Sequence, residues 1–316
     1  MKEEEVINLS SKCNFNATKA LPLKLEASGR EYWRVLDNKD SLVLCYLNPS
    51  LGDHLDFLKI SNLLNANNIS TADVIYHNPD IGVTLQKDLG NDDLLTIFNE
   101  ENKQDLLKRS LDLLAKIQEL PQEEISKLTH DELVDQMHLF KDIFCINFLE
   151  LEPDNSIDDL MLLTTENIKQ QPWVNCHFDF ERRNLILYQN QITVIDHQDM
   201  KIGPLGIDLS GILIDHYYPV NLTDINMMLD YFSKQIKSKY NSEELFNFLR
   251  WASIQRNMRI LGTLANLYIE HKRGFRLKDL PMILSNLECM IPDNHKSKFF
   301  ISEQLKPLLN KKLLDI

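Results

Sequence analysis

The chain has 316 residues, 43% of them hydrophobic, enough to pack a real core in two lobes or two modest domains and too much for a disordered tail. Lys and Arg number 34 against 47 Asp and Glu, a formal charge of -13, so the overall field repels nucleic acid and anionic lipid, and neither is an expected partner. The opening Met1-Lys2-Glu3-Glu4-Glu5 has no apolar h-region and no later run approaches the roughly 18 apolar residues of a membrane helix, which predicts a soluble, cytoplasmic and monomeric protein. Five scattered cysteines, Cys13, Cys45, Cys145, Cys176 and Cys289, form no CxxC pair and read as reduced, mostly buried thiols.

In chain order, the acidic opening reads as a solvated terminus. Strand-type alternation follows over Leu21 to Glu26, Glu31 to Leu36 and Ser41 to Tyr46, separated by Ala27-Ser28-Gly29 and Asp37-Asn38-Lys39-Asp40, and such short turns predict an antiparallel meander. Apolar residues at helical spacing predict a helix from His54 to Asn65, and Val74 to Tyr76 and Val83 to Leu85 read as two more strands. From Asp92 the pattern turns to long amphipathic helices, notably Lys103 to Leu120, His130 to Leu149 and Ser242 to Tyr268, with Pro121 breaking the chain between the first two. One hairpin interrupts them: Leu185 to Tyr188 and Ile192 to Ile195 flank a polar Gln189-Asn190-Gln191 turn. The expectation is an α+β fold with an N-terminal lobe over 1–89, holding a five-stranded antiparallel sheet and one helix, and a mainly helical lobe over 90–316.

Chemistry concentrates around that hairpin. His177-Phe178-Asp179-Phe180-Glu181-Arg182-Arg183-Asn184 precedes it and Ile195-Asp196-His197-Gln198-Asp199 follows it. A hairpin returns its far end beside its start, so Asn184 and Asp196 converge although they are distant in sequence. Phosphoryl transfer needs a carboxylate near the attacking hydroxyl and oxygen ligands for Mg²⁺, and this segment offers both. Taken alone, Asp179 would be a loop or capping carboxylate; the constellation is what points to a nucleotide site. His197, His216 and the aromatic residues Tyr217, Tyr218, Trp173, Phe140, Phe144 and Phe148 read most simply as packing residues.

His177-x-Asp179 with Asn184 resembles the catalytic loop of the aminoglycoside phosphotransferase and choline kinase family, and Ile195-Asp196 resembles its metal-binding strand end. That resemblance implies a protein-kinase-like two-lobed fold using ATP and Mg²⁺. It makes Asp179 the base, His177 a brace of the loop, Asn184 and Asp196 the metal ligands, and Asp208 the tether of the loop; Asp199 is left between metal support and acceptor contact. Further motifs are similar to one subgroup, the bacterial anomeric kinases of N-acetylmuramate and N-acetylglucosamine: Ala27-Ser28-Gly29-Arg30-Glu31-Tyr32-Trp33-Arg34-Val35, Lys87-Asp88-Leu89-Gly90, Asp196-His197-Gln198-Asp199 with Gly203-Pro204, and Gln255-Arg256-Asn257-Met258-Arg259-Ile260-Leu261-Gly262. On that resemblance Ser28 and Gly29 cover the phosphates, Gln86, Lys87, Asp88 and Leu89 meet the adenine, and the acceptor is an amino sugar.

The third strand, Leu42-Val43-Leu44-Cys45-Tyr46, lacks the lysine with which related kinases hold the α- and β-phosphates. Arg34, and after it Arg30, are the expected substitutes, because Arg34 faces away from the core if Trp33 and Val35 enter it. His197 stands where the subgroup has Phe, and Ile214 where it has Arg. Choline or an aminoglycoside stays open as the acceptor, and a nucleotide-binding scaffold without turnover is the rival from outside enzymology.

Overall fold

Alternation along Glu31–Leu36 decides which side of the first sheet is covered: Trp33 and Val35 are buried, whereas Tyr32 and Arg34 turn to the other face. The computed structural model describes residues 1–23, 29–236 and 240–316, so Ser28 of the covering turn lies outside the described residues. The chain forms two compact units, Met1–Ile97 with Arg183–Asp199, and Phe98–Arg182 with Met200–Ile316. In chain order the elements are α1 (Glu3–Lys12), β1 (Lys19–Pro22), β2 (Glu31–Leu36), β3 (Ser41–Tyr46), α2 (Leu55–Ala66), β4 (Val74–Asn78), β5 (Val83–Lys87) and α3 (Leu94–Ile97). Then come α4 (Lys103–Gln118), α5 (His130–His138), which continues as a wider helical run over Leu139–Phe148, α6 (Asn155–Lys169), β6 (Trp173–Cys176), β7 (Leu185–Tyr188), β8 (Gln191–Val194) and β9 (Lys201–Pro204). Helices α7 (Gly206–Leu213), α8 (Leu222–Gln235), α9 (Ser242–His271), α10 (Leu280–Met290), α11 (Lys296–Phe300) and α12 (Lys306–Leu314) complete the chain. None of the described helices is long and apolar enough to cross a membrane.

The first unit holds the expected five-stranded antiparallel sheet, with β1-β2-β3 as the expected meander; its order is β1-β2-β3-β5-β4, so that β5 and not β4 pairs with β3. Its apolar face is closed by α1, whose Val6 packs with Cys13, Ala17, Ala20, Trp33, Val35, Leu44, Val83 and Leu85. The glutamates of the opening are exposed, as a solvated terminus requires, whereas the helix they begin was not expected. Glu3, Glu4 and Glu5 form the first turn of a helix, where carboxylates suit the positive end of the dipole, and Glu3 accepts a hydrogen bond from the Ala20 amide at 3.1 Å. Helix α2 buries Phe57, Ile60, Ser61 and Leu64, a stripe of helical period. The β7–β8 hairpin belongs to this unit and is pinned by backbone bonds from Val194 N–H to Ser70 O, 3.0 Å, and from Leu187 N–H to Asp92 O, 2.9 Å. Its turn has two residues, Gln189 and Asn190, both left-handed (φ 48 and 59), the type I′ geometry that matches strand twist.

The second unit is built around α9, thirty residues long, with an Asn241 and Glu244 capping box at its start and a left-handed Lys272 at its end. Phe140, Phe144 and Phe148 stack in a row at 5.4 and 6.1 Å and are fully buried, the core role expected of them. A short antiparallel pair, β6 with β9, stands among these helices and was not legible in the sequence; its end at Cys176 launches the His177 loop. Of the cysteines, Cys13, Cys45, Cys145 and Cys176 are buried and Cys289 is exposed, all as free thiols.

Candidate active site

The loop after β6 is held by one carboxylate. Asp208, fully buried in the first turn of α7, accepts from the His177 amide at 2.6 Å and from the Phe178 amide at 2.9 Å. Burial pushes its carboxyl up to about 6, against the charge of His177 and the two amide bonds, which favour the ionised form. Between the two clamped amides and Asp179 sits Phe178 with φ 71, a left-handed backbone that a bulky residue adopts only when its surroundings enforce it. Two close approaches accompany it. A Cβ at Gly203 would lie 2.7 Å from the Phe178 ring, and one at Gly211 would lie 2.5 Å from the Phe180 carbonyl oxygen, so β9 and α7 come this close to the loop because these two positions are glycine. Asp208→Asn puts an amide donor against a backbone N–H. We expect a loss of about 1–3 kcal/mol in denaturant unfolding and a fall in kcat of more than about tenfold, both measured on the purified variant.

Asp179 emerges from this brace half-buried, with Arg259 Nη2 of α9 at 3.3 Å from its Oδ1. Two residues on, Glu181 turns inward and accepts from Arg256 Nη2 at 2.9 Å, a pair almost wholly sealed from solvent. Arg182 is also buried: it bonds Asp215 and lies over the rings of Phe98, 4.0 Å, and Tyr218, 4.7 Å, which are tilted against each other. Burial pushes the Asp215 carboxyl up to about 6, with the Arg182 charge pulling against it. His216, expected to be a packing residue, is buried within this cluster and bonded to Arg276. Glu181, Arg182, Asp215, Arg256 and Arg259 were not expected from the sequence as functional residues. The available signal was a pair of arginines at i and i+3 within the apolar middle of a long helix.

Within the first unit the hairpin brings Asn184 and Asp196 together. Leu185 pairs with Val194, and one step outward the Ile195 amide donates to Asn184 O at 3.0 Å, so Asp196 follows directly beside buried Asn184. Asp196 is left-handed, φ 59, and its Oδ1 accepts from Gln198 Nε2 at 2.7 Å. Gln198 Nε2 also reaches Asp199 at 3.3 Å, which makes exposed Asp199 a neighbour of the carboxylate. The buried Gln198 Oε1 has no partner among the described residues, an acceptor that calls for a water or other donor. One amide oxygen, one carboxylate and an unsatisfied acceptor are hard oxygen groups that fit Mg²⁺ completed by phosphate oxygens and water. His197 behaves as the packing residue expected of it: it stacks on Phe57 at 4.8 Å and its Nε2 lies 2.7 Å from Ser61 Oγ.

The same unit carries the residues expected to meet the nucleotide. Gly29 has φ 74, a turn conformation that favours glycine. Cys45, on the third strand that lacks the lysine, pairs across the sheet with Tyr32, and burial pushes its thiol up to about 12, so it supplies no charge. Arg34 spends its donors inside the unit, on Asp88 at 2.6 and 2.9 Å, on Asn91 at 2.7 Å and on the Gly90 carbonyl at 2.8 Å. Burial alone would push the Asp88 carboxyl up; bonds from Arg34, Ser41 and the Gly90 amide together hold it below the usual range. That use of Arg34 argues against it as a phosphate ligand and moves Arg30 to first place. Burial drives the Tyr32 hydroxyl well above its ordinary range, with Cys45 and the charge of Asp196 adding to this and that of Arg30 opposing it. Gln86 is buried and bonded to Thr84 at 3.0 Å, Lys87 lies over the Tyr188 ring, and Leu89 is buried. Arg30→Ala is expected to raise the ATP KM or lower kcat more than about tenfold, whereas Arg34→Ala lowers the melting temperature and moves either constant less than about threefold; steady-state kinetics beside thermal unfolding checks both.

An antiparallel sheet with one close helical partner, followed by a mainly helical remainder that braces an aspartate loop, is a protein-kinase-like phosphotransferase architecture. The chain belongs to the phosphotransferase enzyme family, whose model matches residues 19–232, and it is a small-molecule kinase. It is 24% identical over 280 residues to the N-acetylmuramate/N-acetylglucosamine kinase of Neisseria meningitidis serogroup B, covering 83% of this chain and 82% of that protein. The kinase of the same name from Pseudomonas aeruginosa is also 24% identical, over 285 residues, with 86% and 83% covered. Among solved structures, a spectinomycin phosphotransferase in complex with ADP and spectinomycin superposes with a TM-score of 0.66 at 16% identity, covering 96% of this chain and 99% of that one. A choline kinase from Streptococcus pneumoniae gives 0.65 at 12% identity, with 90% and 99% covered.

Proposed function

We propose that this kinase transfers the γ-phosphoryl group of ATP to the anomeric hydroxyl of N-acetylmuramate or N-acetylglucosamine, giving the sugar 1-phosphate. The observation that carries the acceptor is the shared name of relatives matched over more than four-fifths of both chains. Asp179 takes the hydroxyl proton, the sugar oxygen bonds to the γ-phosphorus, and the bond from that phosphorus to the bridging oxygen breaks to leave ADP. Asn184 and Asp196 would hold Mg²⁺, whose charge offsets that of the phosphates; Gly29 and Arg30 attend the phosphates, and residues 86–89 the adenine. Choline and aminoglycosides are cations, and a guanidinium 3.3 Å from the base opposes a cationic acceptor there. The presence of Asp179, Asn184 and Asp196 together supports turnover over a scaffold role.

A coupled ADP-release assay over amino sugars, choline and aminoglycosides tests this, with ³¹P NMR of the product to locate the new phosphate. Turnover on both N-acetyl sugars with an anomeric phosphate is the expected result. Turnover confined to choline or an aminoglycoside overturns the acceptor, a phosphate elsewhere on the ring overturns the position, and nucleotide binding without turnover favours the scaffold.

A further inference from the structure

Helix α9 directs two guanidinium groups, one turn apart, at two carboxylates of the same loop: Arg256 to Glu181 and Arg259 to Asp179. The pairs differ in burial. Arg256 and Glu181 are 1% and 2% exposed, and a sealed pair of that kind fixes the loop, since removing either charge strands the other in the interior. Arg259 and Asp179 are 23% and 39% exposed, and an ion pair that open to water contributes little to folding. Stability therefore does not account for it.

A carboxylate acting as a base has two oxygens and can rotate about its Cβ–Cγ bond, so productive geometry requires that one oxygen be held while the other meets the acceptor. The oxygen of Asp179 that α9 reaches is Oδ1, and the group that reaches it stands on a thirty-residue helix packed into the core of its unit rather than on a loop. We propose that Arg259 is a positioning residue: it grips Asp179 Oδ1 and thereby fixes the rotation of the carboxylate that takes the proton of the acceptor hydroxyl. This rests on the assignment of Asp179 as base. Gripping at a single oxygen, 3.3 Å away, uses one nitrogen of the guanidinium and not its bidentate fork, so a lysine long enough to reach would serve in part.

The test compares Arg259→Gln and Arg259→Lys with the unaltered chain, using ATP with N-acetylglucosamine, which is neutral, and with N-acetylmuramate, which carries a carboxylate. Expected is a fall in kcat of at least about 30-fold for Arg259→Gln with both sugars, KM for ATP and sugar within about threefold, and recovery by Arg259→Lys to within about fivefold of the original. A kcat for Arg259→Gln within about threefold of the original overturns the inference, as does a rise in KM for N-acetylmuramate alone, which would make Arg259 a receptor for the acceptor's carboxylate. Failure of Arg259→Gln to fold overturns it too, because the pair would then be structural. Asp179→Asn in the same series separates the two claims: near-original turnover there removes the base assignment itself, while a dead Asp179→Asn beside an active Arg259→Gln removes only the role of Arg259. If the acceptor panel yields a different alcohol, kcat and KM are compared on that alcohol, and the same changes support or overturn the role of Arg259.

Discussion

Asp179→Asn lowers kcat by about 10²–10⁴-fold, the range a positioned general base contributes, and leaves the ATP dissociation constant within about threefold. The asparagine is the same size and keeps the backbone of the loop, which is fixed by Asp208 through the two amides before it and by glycine contacts of β9 and α7. What it loses is the capacity to take a proton and the charge that pairs with Arg259. Steady-state kinetics with calorimetric titration of ATP separates these effects from binding. Turnover near that of the original chain would place the base elsewhere, and a large loss of ATP affinity would make Asp179 a nucleotide contact.

How far this arrangement could be read from sequence depends on the distance over which each signal acts. The alternation of β2 announced its own buried face, because strand side chains alternate whatever the partner, and Trp33 and Val35 are indeed in the core. The hairpin was equally local: its polar turn and flanking apolar runs lie within ten residues, and they brought Asn184 beside Asp196 as expected. Strands β6 and β9 escaped because each has four residues and its partner lies beyond the intervening hairpin in sequence. Helix α1 escaped because its charged first turn looked like a tail; its apolar side becomes visible only against the sheet it covers.

Partner choice was the harder matter. The face on which Arg34 stands was legible, but its engagement with Asp88, 54 residues away, was not, and that engagement favours a structural strut over a phosphate ligand. Arg259 likewise stood in a recognised helix motif, 80 residues from the aspartate it meets. Residue types and local spacing identified the chemistry, while the assignment of each cation to its carboxylate required the tertiary structure.

Removing the carboxylate at the proposed metal position is expected to be as damaging as removing the proposed base, and the backbone there dictates how to test it. Asp196 has φ 59, a conformation that asparagine and aspartate tolerate and alanine adopts at a cost of about 1–2 kcal/mol. Asp196→Ala alone would therefore mix a lost ligand with a strained turn. Asp196→Asn keeps the turn and the acceptor oxygen for Gln198 Nε2, and removes only the negative charge. If Asp196 holds Mg²⁺, both variants lose turnover by a factor on the order of 10³, the several kcal/mol that a metal-bound transition state represents, and both lose the Mg²⁺ dependence of nucleotide binding in calorimetry. Only Asp196→Ala should also melt earlier. Were Asp196→Asn to bind nucleotide with the Mg²⁺ dependence of the original chain, the metal would lie elsewhere and the conformation of residue 196 would be the feature the site requires.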